Sequence, residues 1–126
     1  MMRHLLVVLL LAAPAAKACD LQGGEARKVQ SAHYLVLFRT QPASLKVGQH
    51  FAVEFAVCPA PESVRVDAWM PEHRHGMNYR PTVTATGEGR YRAEGLMLHM
   101  AGKWDLIFEA RARDSVERVA QTIRLE

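Results

Sequence analysis

Residues 51–57 read Phe-Ala-Val-Glu-Phe-Ala-Val, and this stretch decides the fold. Large apolar side chains alternate there with small or charged ones, which is the two-residue period of a strand with one face in a core. Residues 64–70 and 104–110 show the same alternation. Four more strand-like runs cover 34–38, 79–85, 90–94 and 119–125. The sequence therefore predicts an all-β protein, an immunoglobulin-like antiparallel β-sandwich of about seven strands.

The first 18 residues have the pattern of an export signal. Arg3 precedes an apolar stretch at 5–13, and Pro14 and a small-x-small cleavage sequence at 16–18 follow it. We therefore expect a cleavable signal peptide over 1–18 and export of the mature chain to the periplasm.

The mature chain is expected to consist of an N-terminal tail, 19–30, and a sandwich domain, 31–126. Once Arg3 and Lys17 are removed, 14 basic residues face 13 acids, so the charge does not point to nucleic acid as a partner. Outside the signal, the apolar runs fall short of the roughly 18 residues that a membrane-spanning helix needs. We expect a monomer without a transmembrane segment after signal cleavage.

Two cysteines remain in the mature chain, Cys19 and Cys58. Export would place both thiols in an oxidising compartment, where an even number of cysteines favours a disulfide. The alternative is a lipid anchor on Cys19, the first mature residue. Ala16 and Lys17 fit a bacterial lipidation sequence poorly, so the disulfide is the favoured prediction.

Histidine and methionine are concentrated in two short windows, 70–77 and 97–100. The first reads Met-Pro-Glu-His-Arg-His-Gly-Met and the second Met-Leu-His-Met. Seven of the nine histidines and methionines of the mature chain lie in these 12 residues, where an even distribution would place about one. His33 and His50 are the two outside.

This mixture of donors is typical of copper chemistry. Thioether sulfur is a soft ligand that prefers Cu(I), and imidazole binds both copper oxidation states, whereas zinc more often recruits cysteine or carboxylate beside histidine. A β-hairpin between the windows would return the chain to the end where it began, so the windows are expected to meet. The predicted ligands are His73, His75, Met77, His99 and Met100.

Three neighbouring residues have other predicted roles. Glu72 would support a ligand histidine through a hydrogen bond. Met97 is a possible minor ligand or a residue that seals the end of the sandwich. Met70 continues the inward parity of its strand, so we expect it in the core. Further expectations concern the backbone: extended chain would point His73 and His75 to one side, and Gly76 would turn the chain and bring Met77 to them.

Residues 70–81, together with 89–96 and 99–104, resemble the signature of YtkA-like domains, which are related to the FixH-like group. The resemblance extends from about residue 30 to the end, so it makes 31–126 a YtkA-like β-sandwich domain. It implies an exported immunoglobulin-like sandwich, often encoded among copper-handling or respiratory-oxidase assembly proteins.

The sequence thus leads to a periplasmic copper-binding or copper-chaperone-like protein that exchanges copper with donor or acceptor proteins of the envelope. The alternative is an accessory or interaction module without metal, in which Trp69, Tyr79 and the methionine-rich rim contact a partner. We do not expect an enzyme, since the chain shows no phosphate loop, nucleophile elbow or Cys–His dyad.

Overall fold

The computed structural model describes residues 11–12 and 19–126. The predicted signal peptide at 1–18 lies almost wholly outside the described residues. Within them there are nine strands and no helix, hence no helix that could cross a membrane. The strands are β1 (Arg27–Gln30), β2 (Leu35–Gln41), β3 (His50–Cys58), β4 (Ser63–Met70), β5 (His75–Gly76), β6 (Thr82–Gly87), β7 (Arg90–Met97), β8 (Gly102–Ala112) and β9 (Ser115–Leu125).

The strands form two antiparallel sheets packed face to face, which confirms the predicted sandwich. One sheet has the order β1-β2-β3-β7-β6 and the other β5-β4-β8-β9. Side chains of alternating parity from β3 and β8 meet between them: the rings of Phe55 and Phe108 have centroids 5.1 Å apart, and Phe38 lies 5.2 Å from Phe108. Trp104 and Leu106 are buried in the same layer, as their parity predicts.

β3 is more deeply buried than a strand with one solvent face. Ala52 and Ala56, on the face away from the core, are also buried, and on that face Glu54 is only partly covered. The reason is position: β3 pairs with β2 on one side and β7 on the other, and Arg39 and Arg92 from these neighbours form ion pairs with Glu54 across that face.

Two of the strands were not expected from the sequence. β1 lies within the segment predicted as a tail and pairs with β2, Arg27 opposite Phe38. Its sequence, Arg-Lys-Val-Gln, has one apolar residue and no alternation, because it is an edge strand with mostly exposed side chains. β5 has only two residues and pairs with the end of β4. Neither can be recognised from hydrophobic periodicity.

The predicted disulfide is present between Cys19 and Cys58, whose Cα atoms are 5.8 Å apart. It joins the N-terminal segment to the last residue of β3. A lipid on the Cys19 thiol would exclude this bond. The disulfide marks one end of the sandwich. β3 and β8 end near it and β4 begins near it, so all three strands connect this end with the opposite end, where the histidines lie.

Candidate metal centre

The first histidine window forms a tight hairpin between β4 and β5. The carbonyl oxygen of Met70 accepts backbone N–H groups from His73 and Arg74, at 3.2 and 2.8 Å, and Arg74 turns the chain with a φ of 54°. His75 then pairs with Met70 across the hairpin. Cross-strand partners share a face of the sheet, so His75 lies on the inner face with the buried Met70.

This geometry corrects two expectations. His73 lies in the turn and not on extended backbone, although its ring still neighbours that of His75. Gly76 does not make the turn. It lies in β5, where a Cβ atom would come within 3.2 Å of the Ala68 carbonyl oxygen, so glycine here permits the close approach of β5 to β4.

The second window crosses from one sheet to the other, between β7 and β8. Leu98 is buried, and its carbonyl oxygen accepts the Gly48 N–H at 2.9 Å. The indole N–H of Trp104 donates to the carbonyl oxygen of Met100 at 3.0 Å. These two hydrogen bonds fix the backbone on either side of His99.

Three imidazole rings from the two windows come together at this end of the sandwich. The centroids of His75 and His99 are 5.3 Å apart, and those of His73 and His75 are 5.7 Å apart. With metal–nitrogen bonds of about 2.0–2.1 Å, two imidazoles on one ion have ring centres about 5 Å apart. His75 and His99 are therefore within reach of a shared ion, and His75 is the central ring of the three.

Trp104 forms the wall behind this pair. Its ring lies 5.9 Å from His75 and 5.5 Å from His99, with interplanar angles of 72° and 74°. Both imidazoles thus meet the indole nearly at right angles, an arrangement favoured between aromatic rings. Because Trp104 is fully buried, it restricts the orientation of both rings and keeps water from their inner side.

The ring nitrogens differ in their hydrogen bonds. Nδ1 of His75 lies 3.1 Å from the carbonyl oxygen of Gly76, so in the neutral ring Nδ1 carries the hydrogen and Nε2 has a free lone pair. Nδ1 of His99 is buried and has no hydrogen-bond partner among the described residues. Buried polar atoms without partners are uncommon, and each calls for an explanation such as a water molecule or an ion.

The three rings do not form a complete site by themselves. Within residues 19–126, no group of three or more His, Cys, Asp or Glu side chains is placed to hold a metal ion. The other soft donors in the two windows are the methionine thioethers.

The predicted thioether ligands lie at the same end of the sandwich. Met77 and Met100 are partly buried and pack against the core, and the Met77 N–H donates to the carbonyl oxygen of Ala68 at 3.3 Å. Met97 is different. It is the cross-strand partner of His50 and alternates with the buried Leu96, so it faces the outer side of its sheet.

Glu72 lies on the exposed turn, where its carboxylate is 3.9 Å from the Lys103 ammonium group. The hydrogen bond from a ligand histidine to Glu72 stays a prediction.

The sequence did not single out Trp104 as part of the site. Parity predicted its burial, but not that two histidines would pack on it. The signal available was position: Trp104 is the first buried position of β8, five residues after His99, so it closes the core at the end where the histidine windows meet.

The comparisons with known proteins place the chain in one family. The model of the YtkA-like family matches residues 36–109, which extend from β2 to near the end of β8 and include both histidine windows. No curated protein and no solved structure matches the chain.

Proposed function

The chain belongs to the YtkA-like family, and we propose that it is a periplasmic copper-binding protein of the chaperone type, which holds Cu(I) at the end of the sandwich where the two histidine windows meet. The single observation that carries the proposal is the His75–His99 pair. The two lie 24 positions apart in the chain, yet the centroids of their rings are 5.3 Å apart and both pack against one buried indole.

The chemistry of the donors supports Cu(I) over other ions. Imidazole and thioether are both neutral ligands, and thioether sulfur is soft. A hard cation would want carboxylate oxygens, but the acid of the first window, Glu72, lies beside Lys103. Copper would be the cargo that the protein delivers, and the residues of the chain would bind and orient it.

An exposed turn beside a buried wall suits transfer of the ion. His73 lies on the exposed turn and His75 is half-buried behind it, with Trp104 at the back. A partner protein could displace the outer ligand first and take the ion by stepwise ligand exchange. Copper-donor and copper-acceptor proteins of the envelope are the partners that this function requires.

Two features support a periplasmic location. The first 18 residues have the pattern of a cleavable signal, and the disulfide between Cys19 and Cys58 requires an oxidising compartment to persist.

Titration of the purified mature chain with Cu(I) against a competing chelator tests this function. We expect a single ion per chain, with affinity that falls sharply in His99→Ala and Met77→Ala. His33→Ala and His50→Ala are matched controls, because His33 is bound to Glu117 and His50 packs on Tyr79, and both should bind copper like the wild type. Equal losses in all four variants would mean non-specific binding and would contradict the proposal.

The second candidate is a metal-free accessory module of the envelope. It is favoured by two exposed aromatic side chains, Trp69 and Tyr79, each 42% exposed. Surface aromatics of this kind are frequent anchors in protein interfaces. A wild-type chain that binds no Cu(I) would favour this function.

A further inference from the structure

Resting on the copper site above, we propose that Met70 is its buried sulfur ligand, and that the ion sits on the inner side of the imidazole pair, held by the Met70 thioether with His75 and His99. Parity alone assigns Met70 to the core, and it is indeed 1% exposed. Its neighbours give it a second role.

The register of the hairpin places Met70 beside the central imidazole. Met70 and His75 are direct cross-strand partners on the inner face, and in such a pair the Cβ atoms are about 4.5–5.5 Å apart. A methionine side chain is long and flexible enough to bring its sulfur against the neighbouring ring.

The far end of the Met70 side chain extends to the beginning of β8. A Cβ atom on Gly102 would lie 2.9 Å from the Met70 methyl carbon, and Gly102 has a φ of +129° that other residues rarely adopt. Glycine at this position therefore leaves the space that the Met70 methyl group occupies. The side chain thus spans from the residue opposite His75 to a residue two positions before Trp104, the indole on which both imidazoles pack.

The unpartnered nitrogen of His99 is the independent observation that points to a ligand. Nδ1 is buried, and a buried ring nitrogen without a hydrogen bond is unfavourable. An ion bound there would satisfy it. Thioether sulfur is a soft donor that suits Cu(I), and Met70 is a fully buried thioether on the inner face opposite His75.

An inner position has a consequence for selectivity. Neutral donors in a partly buried site do not compensate the charge of a divalent ion as carboxylates would, and the cost of desolvating a charge rises with its magnitude. The site should therefore prefer Cu(I), and Ag(I) as its closest chemical analogue, over Zn(II).

The experiment compares Met70→Leu with Met97→Leu. Leucine conserves the volume of methionine, so both variants should fold, and Met97 faces the outer side of its sheet beside His50. We expect Met70→Leu to lower Cu(I) affinity at least about tenfold, as removal of a metal-site interaction typically does, and Met97→Leu to leave it unchanged. X-ray absorption of the copper in selenomethionine-labelled protein should show one selenium neighbour fewer in Met70→Leu and the same number in Met97→Leu.

A second measurement needs no variant. In wild-type protein labelled with ¹³C at the methionine methyl groups, the Met70 methyl can be identified by its contact with Gly102, and its resonance should shift as Cu(I) is added.

The outcomes separate this inference from the proposed function. If the wild type binds no Cu(I), the proposed function fails and Met70 has no ion to hold. If the wild type binds Cu(I) while the selenium count is equal in both variants or the Met70 methyl does not shift, Met70 is only a core residue and this inference is overturned, whereas the copper site stands. A loss of affinity with an unchanged selenium count would equally overturn the ligand assignment.

Discussion

The two ends of the sandwich are closed in different ways. At one end the Cys19–Cys58 bond ties the N-terminal segment to β3, and an ion pair of 2.5 Å joins Arg90 to Asp20 beside it. At the other end, aromatic packing of His75 and His99 on Trp104 closes the core. The first end is fixed by covalent and ionic bonds. The second keeps a buried nitrogen without a hydrogen bond in the described structure.

The difference between the two ends indicates which part of this small β-domain carries its function. A buried polar atom without a partner costs folding free energy, and at the histidine end a bound ion would offset that cost. The same strands, β3, β4 and β8, connect both ends. The histidine end can therefore be less than fully satisfied while the centre and the disulfide end hold the sheets together.

The largest loss of stability is expected from a substitution in the centre of the sandwich, midway between the two ends. Phe108 packs on Phe38 and Phe55 from the opposite sheet and is 2% exposed. Phe108→Ala should lower the free energy of unfolding by about 3–5 kcal/mol, because the neighbouring rings cannot fill the cavity, and for so small a domain this is a large part of the total. Thermal denaturation measures it. Val116→Ala, at an exposed position, is the control and should change stability little.

Loss of the disulfide should have the next largest effect and should act on one end only. The double variant Cys19→Ser, Cys58→Ser removes a bond between residues 39 apart in the chain, at an expected cost of about 2–4 kcal/mol. Chemical denaturation measures the loss. Cu(I) affinity of the folded variant should match that of the wild type; a parallel fall in affinity would show that the two ends are coupled and that the comparison between them is wrong.

A smaller loss of stability is expected from Trp104→Phe, a substitution at the histidine end. The change keeps an aromatic ring behind His75 and His99 but removes the N–H that donates to the Met100 carbonyl oxygen. A partly buried acceptor is then left without its partner, at a cost of about 1–3 kcal/mol. The loop that carries His99 should loosen, and Cu(I) affinity should fall by about 10–100-fold, as for groups that orient metal ligands.

The other tryptophan supplies the matched control for that change. Trp69 lies on the outer face of the same sheet, so Trp69→Phe should leave both stability and affinity almost unchanged. Similar affinities in the two tryptophan variants would show that the indole of Trp104 does not position the histidines.

The smallest effect on stability is expected at Glu117 of β9, near the disulfide end. The Ser31 hydroxyl and the backbone and ring N–H groups of His33 all donate to its carboxylate, which lowers its pKa from about 4.5 to about 2. A depressed pKa stabilises the folded chain above the ordinary pKa of the carboxyl group, and this contribution is lost as the pH falls from 4.5 towards 2.

The measurement is thermal stability of wild type and Glu117→Gln through that acidic range. The advantage of the wild type at neutral pH should disappear as the pH approaches 2. Curves that run parallel over the whole range would show that Glu117 makes no pH-dependent contribution.

Hydrophobic alternation was sufficient to predict the sandwich and its central contacts, because residues such as Phe55 and Phe108 follow a strict period of two on long paired strands. The disulfide followed from cysteine number and expected compartment. The meeting of His75 and His99 could be anticipated because a hairpin, β6 to β7, lies between their windows.

The details of the site could not be obtained in this way. The turn of the first window depends on Arg74 in a left-handed conformation, which sequence does not reveal for a residue other than glycine or asparagine. The strand β5 has only two residues, too few to show a hydrophobic period. Because the sequence does not predict this strand, it does not predict the pairing of Met70 with His75 either. Contacts across sheets, such as those of Trp104, depend on tertiary packing.

A double-mutant cycle on His75 and His99 tests the central claim most directly, namely that residues from both windows hold one ion. Cu(I) affinity is measured for His75→Ala, His99→Ala and the double variant, with His33→Ala combined with His99→Ala as the control pair. If both imidazoles bind the same ion, the fold-loss of Cu(I) affinity in the double variant should be far smaller than the product of the two single fold-losses. In the control pair, the two fold-losses should simply multiply. Losses that simply multiply for His75 and His99 would contradict a shared ion.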